Sequence, residues 1–147
     1  MKWTRSNPSD DLLGVDWFRP LSPAARRSAA RHADWCTVRP GTRLQRQGAH
    51  TRWVWVVVDG MVEVRRDGEL LGLVSPGGAI GEVELLLGAP SPVDVVAASD
   101  ATVVSLPAAA FHGLFEEPSF AASVAKRLAG ECQSARVTET VSSSPSA

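Results

Sequence analysis

Between Trp35 and Gly78 the chain reads WCTVRPG, TRLQRQG, WVWVVVDG, MVEVRRDG and ELLGLVSPGG, five segments that each close on glycine. Glycine reaches positive φ without steric cost and so ends an extended segment, and the Asp-Gly pairs at 59–60 and 67–68 carry the signature of tight β-turns. Strands recurring at this spacing must bury their apolar faces against one another, which predicts a sandwich or a barrel. In WVWVVV both faces are apolar, Trp53 and Trp55 on one and Val54 and Val56 on the other, so both need cover. The tryptophan face is expected beneath the terminal helices.

Helices are confined to the two ends. Ser22 is an N-cap and Pro23 a first helical residue, and AARRSAARHA continues the helix to about Asp34. After the Pro-Gly-Gly turn, GEVELLLG reads as a short helix with an acidic first turn. VDVVAASDATVVSLP then supplies two strands around Ser99-Asp100, and AAAFHGLFEEP opens the C-terminal helices. The last helix is expected over 119–135, where Phe120, Val124, Leu128 and Cys132 recur every fourth residue beside Ala121, Ala125 and Ala129. Such a stripe has to be buried against something.

The chain of 147 residues, 44% hydrophobic and 21% charged, has material for one core. The expected organisation is a disordered tail over 1–9, a folded domain over 10–136 and a Ser-rich disordered tail over 137–147. The longest apolar run, Val54–Val58, is too short to cross a bilayer, and no signal peptide opens the sequence; the cytoplasm is the expected compartment. Cys36 and Cys132 lack metal or redox spacing, and His32, His50 and His112 form no metal-binding pattern. A net charge of −1 argues against nucleic acid as a partner, and Arg26, Arg27 and Arg31 read as a solvated helix surface. There is no Gly-x-Ser-x-Gly elbow, no Walker lysine and no cysteine beside a base. A cupin-type enzyme, built on a similar number of strands, would need a histidine-rich metal strand that the sequence lacks. Neither a catalytic residue nor a metal ligand is assigned.

Taken in order, these pieces resemble the cyclic-nucleotide-binding domain shared by bacterial Crp/Fnr-type regulators, kinase regulatory subunits and cyclic-nucleotide-gated channels. The resemblance covers about residues 17–133. WFRPLSPAARRSAARHADWCTVRPGTRLQRQG is similar to the opening helix and a strand pair ending at Gly48, and WVWVVVDGMVEV to a central hairpin around Gly60. SPGGAIGEVELLLGAP is similar to the phosphate-binding cassette, and VDVVAASDATVVSLP to the paired strands after it. The resemblance implies a mainly β fold with flanking helices, a double-stranded β-helix (jelly-roll) barrel with one N-terminal helix and helices at the C-terminal end.

A cassette of this kind presents helix N-terminal amides to a cyclic phosphate. The resemblance places Gly81, Glu82, Val83 and Glu84 there, with Gly81 letting the phosphate approach and Glu82 accepting from the ribose 2′-hydroxyl. A helix-starting Glu82 serves equally well as an ordinary acidic cap. The arginine that pairs with the phosphate in the family falls on Ser91, or on Pro92 if the loop is one residue longer, and neither carries charge. Pro92 also removes a backbone donor, and Glu84 adds a like charge near the anion. Loss of the arginine alone corresponds to roughly 10- to 150-fold in affinity, unless Arg65 or Arg66 reaches the site instead. The expected function is a stand-alone regulatory domain acting through protein contacts, with weak or lost cyclic nucleotide binding. The alternative is a sensor that takes a cyclic nucleotide or another small molecule in the same pocket. No helix-turn-helix follows the last helix, so DNA is not an expected partner. Phe120, Val124 and Leu128 are the candidate interface, for a homodimer or for another protein.

Overall fold

The computed structural model describes residues 2–4 and 19–133, with the backbone alone at 2–4, 127, 128 and 130–133. In chain order these form β1 (Lys2–Thr4), α1 (Pro23–His32), β2 (Asp34–Val38), β3 (Arg43–Gln45), β4 (Trp53–Asp59), β5 (Val62–Arg66) and β6 (Glu69–Val74). There follow β7 (Ala79–Ile80), α2 (Glu82–Leu87), β8 (Asp94–Ala97), β9 (Ala101–Pro107), α3 (Ala108–Leu114) and α4 (Pro118–Gln133). The strands make two antiparallel sheets, a five-stranded one in the order β1-β2-β9-β4-β7 and a four-stranded one in the order β3-β8-β5-β6. This is the mainly β, helix-flanked jelly-roll arrangement. Residues 2–4 lie within the segment read from the sequence as a tail, yet they pair with β2 through Trp3 and Cys36. Residues 137–147 lie outside the described residues. Among the described residues no helix is long and apolar enough to cross a membrane.

Burial explains the layering. In β4 Val54, Trp55, Val56 and Val57 are all buried, and in β9 Val103, Val104, Ser105 and Leu106 are. Two-sided burial makes the five-stranded sheet the middle layer. On one side Val54, Val56, Val104 and Leu106 meet Ala29, Ala30, Phe111, Leu114, Phe120 and Val124 of the helices. On the other, Cys36, Val38, Trp55 and Val57 meet Val62, Val95 and Ala97 of the four-stranded sheet. The tryptophan face of β4 therefore points between the sheets, and the valine face lies under the helices, the reverse of the sequence expectation. Trp55 is 4% exposed whereas Trp53, at the strand's end, is 41% exposed.

Three segments that read as strand pairs in the sequence are corners instead. β2 and β3, β4 and β5, and β8 and β9 each split between the two sheets. A strand with two apolar faces and a successor with one belong to different layers, so the short connection has to carry the chain across. The corners fasten to one another: Gly41 donates to the Ala97 carbonyl and Ala97 to the Thr42 carbonyl, each at 2.8 Å, while Ala98 donates to Met61 at 3.0 Å. The Met61 amide also donates to Ser99 Oγ at 3.2 Å. Among the sequence-adjacent pairs joined by a two-residue turn, β5 and β6 remain in one sheet, with Arg66 opposite Glu69. Asp67 and Gly68 both have positive φ, 52° and 83°, as a two-residue hairpin of matching twist requires.

The helices close the outer side of the middle sheet. Ser22 Oγ caps α1 by accepting from the Ala25 amide at 3.1 Å. The helix ends at His32 because Ala33 is already extended. Phe111, Phe115 and Phe120 cluster edge to face, with centroid separations of 5.2 Å for Phe111–Phe115 and 5.5 Å for Phe115–Phe120. Phe120 and Val124, assigned from sequence to an intermolecular interface, are 0% and 3% exposed in the chain's own core. The stripe is satisfied internally at these two positions, which takes them out of that interface; the side chain of Leu128 lies outside the described residues.

Gly60 and Gly68 have nearly the same φ, but a Cβ on Gly60 would lie 2.4 Å from the Asp100 carbonyl oxygen whereas one on Gly68 meets nothing within 4 Å. Gly68→Ala is expected to cost about 1–2 kcal/mol of backbone strain. Gly60→Ala should cost at least about 1 kcal/mol more from overpacking. Urea denaturation of the two variants checks the difference; equal losses would mean that the corners do not interlock.

Candidate functional site

β7 pairs with β4 through Trp55 and Ile80 and delivers the chain to Gly81, the N-cap of α2, at φ 93°. The helix opens with a bond from the Leu85 amide to the Gly81 carbonyl at 3.1 Å. It stops at Gly88, whose φ of 64° ends the turn and whose amide returns to the Glu84 carbonyl. The sequence gives Gly81 a ligand-approach role; the structure gives it a reason within the chain. A Cβ there would stand 2.8 Å from the Trp53 carbonyl oxygen and 3.2 Å from Gln45 Oε1.

Beside α2 and against the four-stranded sheet lies a cavity of about 430 Å³. Its walls are mostly aliphatic, from Val64 of β5, Leu71, Leu73 and Val74 of β6 and Val95 of β8. Gln45, Arg66, Ser75 and Glu84 are its polar side chains. Of the cassette residues predicted from sequence, Gly81, Glu84 and Pro92 reach this cavity and Glu82, Val83 and Ser91 do not line it. Glu82 is 1% exposed, buried at the first helical position. The carboxylate facing the cavity is instead that of Glu84, two residues further on.

Ser91 is 2% exposed. Its hydroxyl accepts from Gln45 Nε2 at 2.6 Å and from the Val93 amide at 3.2 Å, and donates to the Val93 carbonyl at 2.6 Å. One donor and two lone pairs are then all engaged. Its main chain is engaged too, with Gly48 donating to the Ser91 carbonyl at 2.7 Å and the Ser91 amide donating to Ala49 at 2.8 Å. Gln45 in turn accepts from Thr51 Oγ1 at 3.2 Å. The Ser91 side chain therefore has no hydrogen-bonding capacity left for a ligand. Of the two basic residues considered as substitutes, Arg65 is held by Glu63 at 2.8 Å and by the Gly68 carbonyl at 3.0 Å. Arg66 lines the cavity and, among the described residues, is its one cation, opposite in sign to Glu84.

Gln45 and Thr51 were not legible as site residues. Gln45 is 46 positions from Ser91, so no local pattern links them; the one available signal was a glutamine inside a segment otherwise read as a buried strand.

A model of the cyclic nucleotide-binding domain family matches residues 35–117, more than half of the chain. The chain belongs to the cyclic nucleotide-binding domain family. Three solved structures of this fold illustrate the likeness. The regulatory subunit of a cAMP-independent protein kinase A from Trypanosoma brucei, in a triply substituted form bound to cAMP in its A site, is 22% identical with a TM-score of 0.72, over 81% of this chain and 44% of that one. The corresponding subunit from Trypanosoma cruzi, bound to guanosine, is 23% identical with a TM-score of 0.68, over 76% of this chain and 41% of that one. The catabolite activator protein of Thermus thermophilus is 24% identical with a TM-score of 0.69, over 80% of this chain and 58% of that one. The chain thus spans less than two thirds of each of these proteins, and at such identities the likeness is one of fold. No curated protein matches the sequence at significance. In this cyclic nucleotide-binding domain Ser91, one of the two positions expected from sequence to match the family's arginine, is turned into the protein.

Ser91→Ala should lower stability by about 1–3 kcal/mol, since it strands the buried Gln45 amide. Gln45→Ala should cost a similar amount, and the double variant should cost clearly less than the sum, because the two residues share one network. A double-mutant cycle by chemical denaturation reads this directly; additive losses would show that the two side chains are not coupled.

Proposed function

We propose that this chain is a regulatory, non-catalytic domain whose pocket no longer accepts a cyclic phosphate tightly and whose output passes through contact with another protein. The observation that carries the reading is Ser91, buried and saturated where a phosphate-pairing arginine would stand, with the Glu84 carboxylate facing the same cavity. A cyclic phosphate entering there would find no arginine at the cassette position, a contact of about 1.5–3 kcal/mol, and would meet the like charge of Glu84, with Arg66 on the β5 wall as the cation left to offset part of both. Regulation through contact is supported by the fold's occurrence in kinase regulatory subunits, and by Leu86 and Leu87, 38% and 73% exposed on the cassette helix.

A second reading, a sensor for an uncharged ligand such as a nucleoside, is favoured by a specific correspondence of spacing. In the T. brucei subunit with cAMP in its A site, a glutamate became alanine, a threonine seven positions later became arginine, and the valine after it became alanine. In this chain Glu84, Ser91 and Pro92 stand at the same intervals. The unaltered pattern there, a glutamate followed by two uncharged residues, is the pattern here. The T. cruzi subunit holds guanosine, a ligand with no phosphate to neutralise, and the aliphatic walls of the cavity suit a flat base.

Calorimetric titration with cyclic AMP, cyclic GMP and guanosine tests both readings. The cyclic nucleotides are expected to bind more weakly than about 100 μM, and binding at about 1 μM or tighter overturns the proposal. Combining Glu84→Ala, Ser91→Arg and Pro92→Ala should raise cyclic AMP affinity by about tenfold or more. Guanosine binding by the unaltered chain, weakened in the triple variant, would select the sensor reading.

A further inference from the structure

The loop between β3 and β4 carries a second concavity, of about 280 Å³, on the other side of Gln45 from the cavity described above. Its lining includes Arg46, His50, Arg52 and Trp53, and no aspartate or glutamate. In a chain of net charge −1, two arginines and a histidine thus border one small hollow. Among the described residues none of the three has a hydrogen-bond or ion-pair partner for its side chain. Trp53, 41% exposed, offers an uncovered aromatic surface beside them.

The loop's backbone is fastened at several points. The Ala49 amide donates to Arg46 at 3.1 Å, Gly48 and Ala49 bond to Ser91, and the Arg52 carbonyl accepts from Ala108 at 2.9 Å. Thr51 Oγ1 lies 3.1 Å from the Trp53 carbonyl, which shares the hydroxyl's one proton with Gln45 Oε1, and His50 bridges to Pro90. A loop held in this way presents its cations at little ordering cost, which is the condition for a binding site rather than a solvated surface.

We infer that this hollow is a binding site for a phosphate monoester, with Arg46 and Arg52 on the phosphoryl oxygens, His50 as a further donor and Trp53 against the apolar body of the ligand. Charge decides the class. A phosphate monoester carries about −1.5 to −2 at neutral pH, which two guanidinium groups neutralise, and its oxygens match the arginine fork. A carboxylate would leave one arginine uncompensated. A nucleic acid strand would need a run of such contacts, which a single hollow does not supply. The group can come from a free phosphorylated metabolite or from a phosphorylated side chain of a protein; the recognising chemistry is the same. Gln45 borders both hollows, but Arg46, His50, Arg52 and Trp53 line this one and not the other, so the inference is tested on residues the cassette reading does not use.

The test is an NMR titration of the isotope-labelled chain with phenyl phosphate, reading the amides of 46–53 and the Trp53 indole. Shifts confined to this loop, saturating below about 10 mM, are expected. Arg46→Ala and Arg52→Ala should each weaken binding by about tenfold or more, with unchanged melting temperature because both side chains are exposed. Trp53→Ala should weaken phenyl phosphate more than inorganic phosphate. A phosphoserine peptide that binds more tightly than phenyl phosphate assigns the site to a phosphorylated protein, and the opposite order assigns it to a small phosphomonoester. The inference is overturned by an absence of shifts at that concentration, by benzoate binding as tightly as phenyl phosphate, or by shifts that persist when both arginines are removed.

Discussion

The two-sided burial of β4 and β9 is the constraint on which the rest of this structure depends. Each buried valine or leucine contributes roughly 1.5–3 kcal/mol when removed from water, and these two neighbouring strands place such residues on both faces. No two-layer arrangement covers them. The helices are therefore drawn onto one side and the second sheet onto the other, and the phenylalanine cluster of α3 and α4 belongs to the same core as Val54 and Leu106. The C-terminal helix is held by this core through Phe120 and Val124, which are used in the fold before any partner is considered.

The same constraint builds the site. Because strands leaving the middle sheet cross to the other sheet at every short corner, α2 and the β3–β4 loop come together at the end of the roll, where Gly81 lies against the Trp53 carbonyl and Gln45. Gln45 stands between the aliphatic cavity and the basic hollow. One hydrogen-bonded set, Thr51 to Gln45 to Ser91, fills the space between them. A buried neutral network with every partner satisfied is cheaper to hold than an arginine without its anion.

Much of this was legible from local chemistry. Glycine spacing implied short strands, Ser22-Pro23 marked the start of α1, and GEVELLLG gave α2, because turns, caps and short helices are decided by the residues that form them. The lack of a cation at Ser91 and Pro92 was visible by counting. What local chemistry could not settle was which strands share a sheet. The connection at Gly60 looks like a hairpin turn and is a corner, since the choice depends on which faces β4 and β5 bury, and on Asp100 and Ala101 standing against Gly60.

The sequence alone therefore determined the element types, the mainly β fold with flanking helices, and the lack of a cation at positions 91 and 92. The tertiary structure decided the layer order and turned Trp55 toward the second sheet and Val54 toward the helices. It also buried Glu82, left Glu84 at the cavity, and joined Ser91 to Gln45 across 46 residues. These outcomes rest on contacts between segments far apart in the chain, and side chains that alternate along a strand have no inside or outside until a second layer is in place.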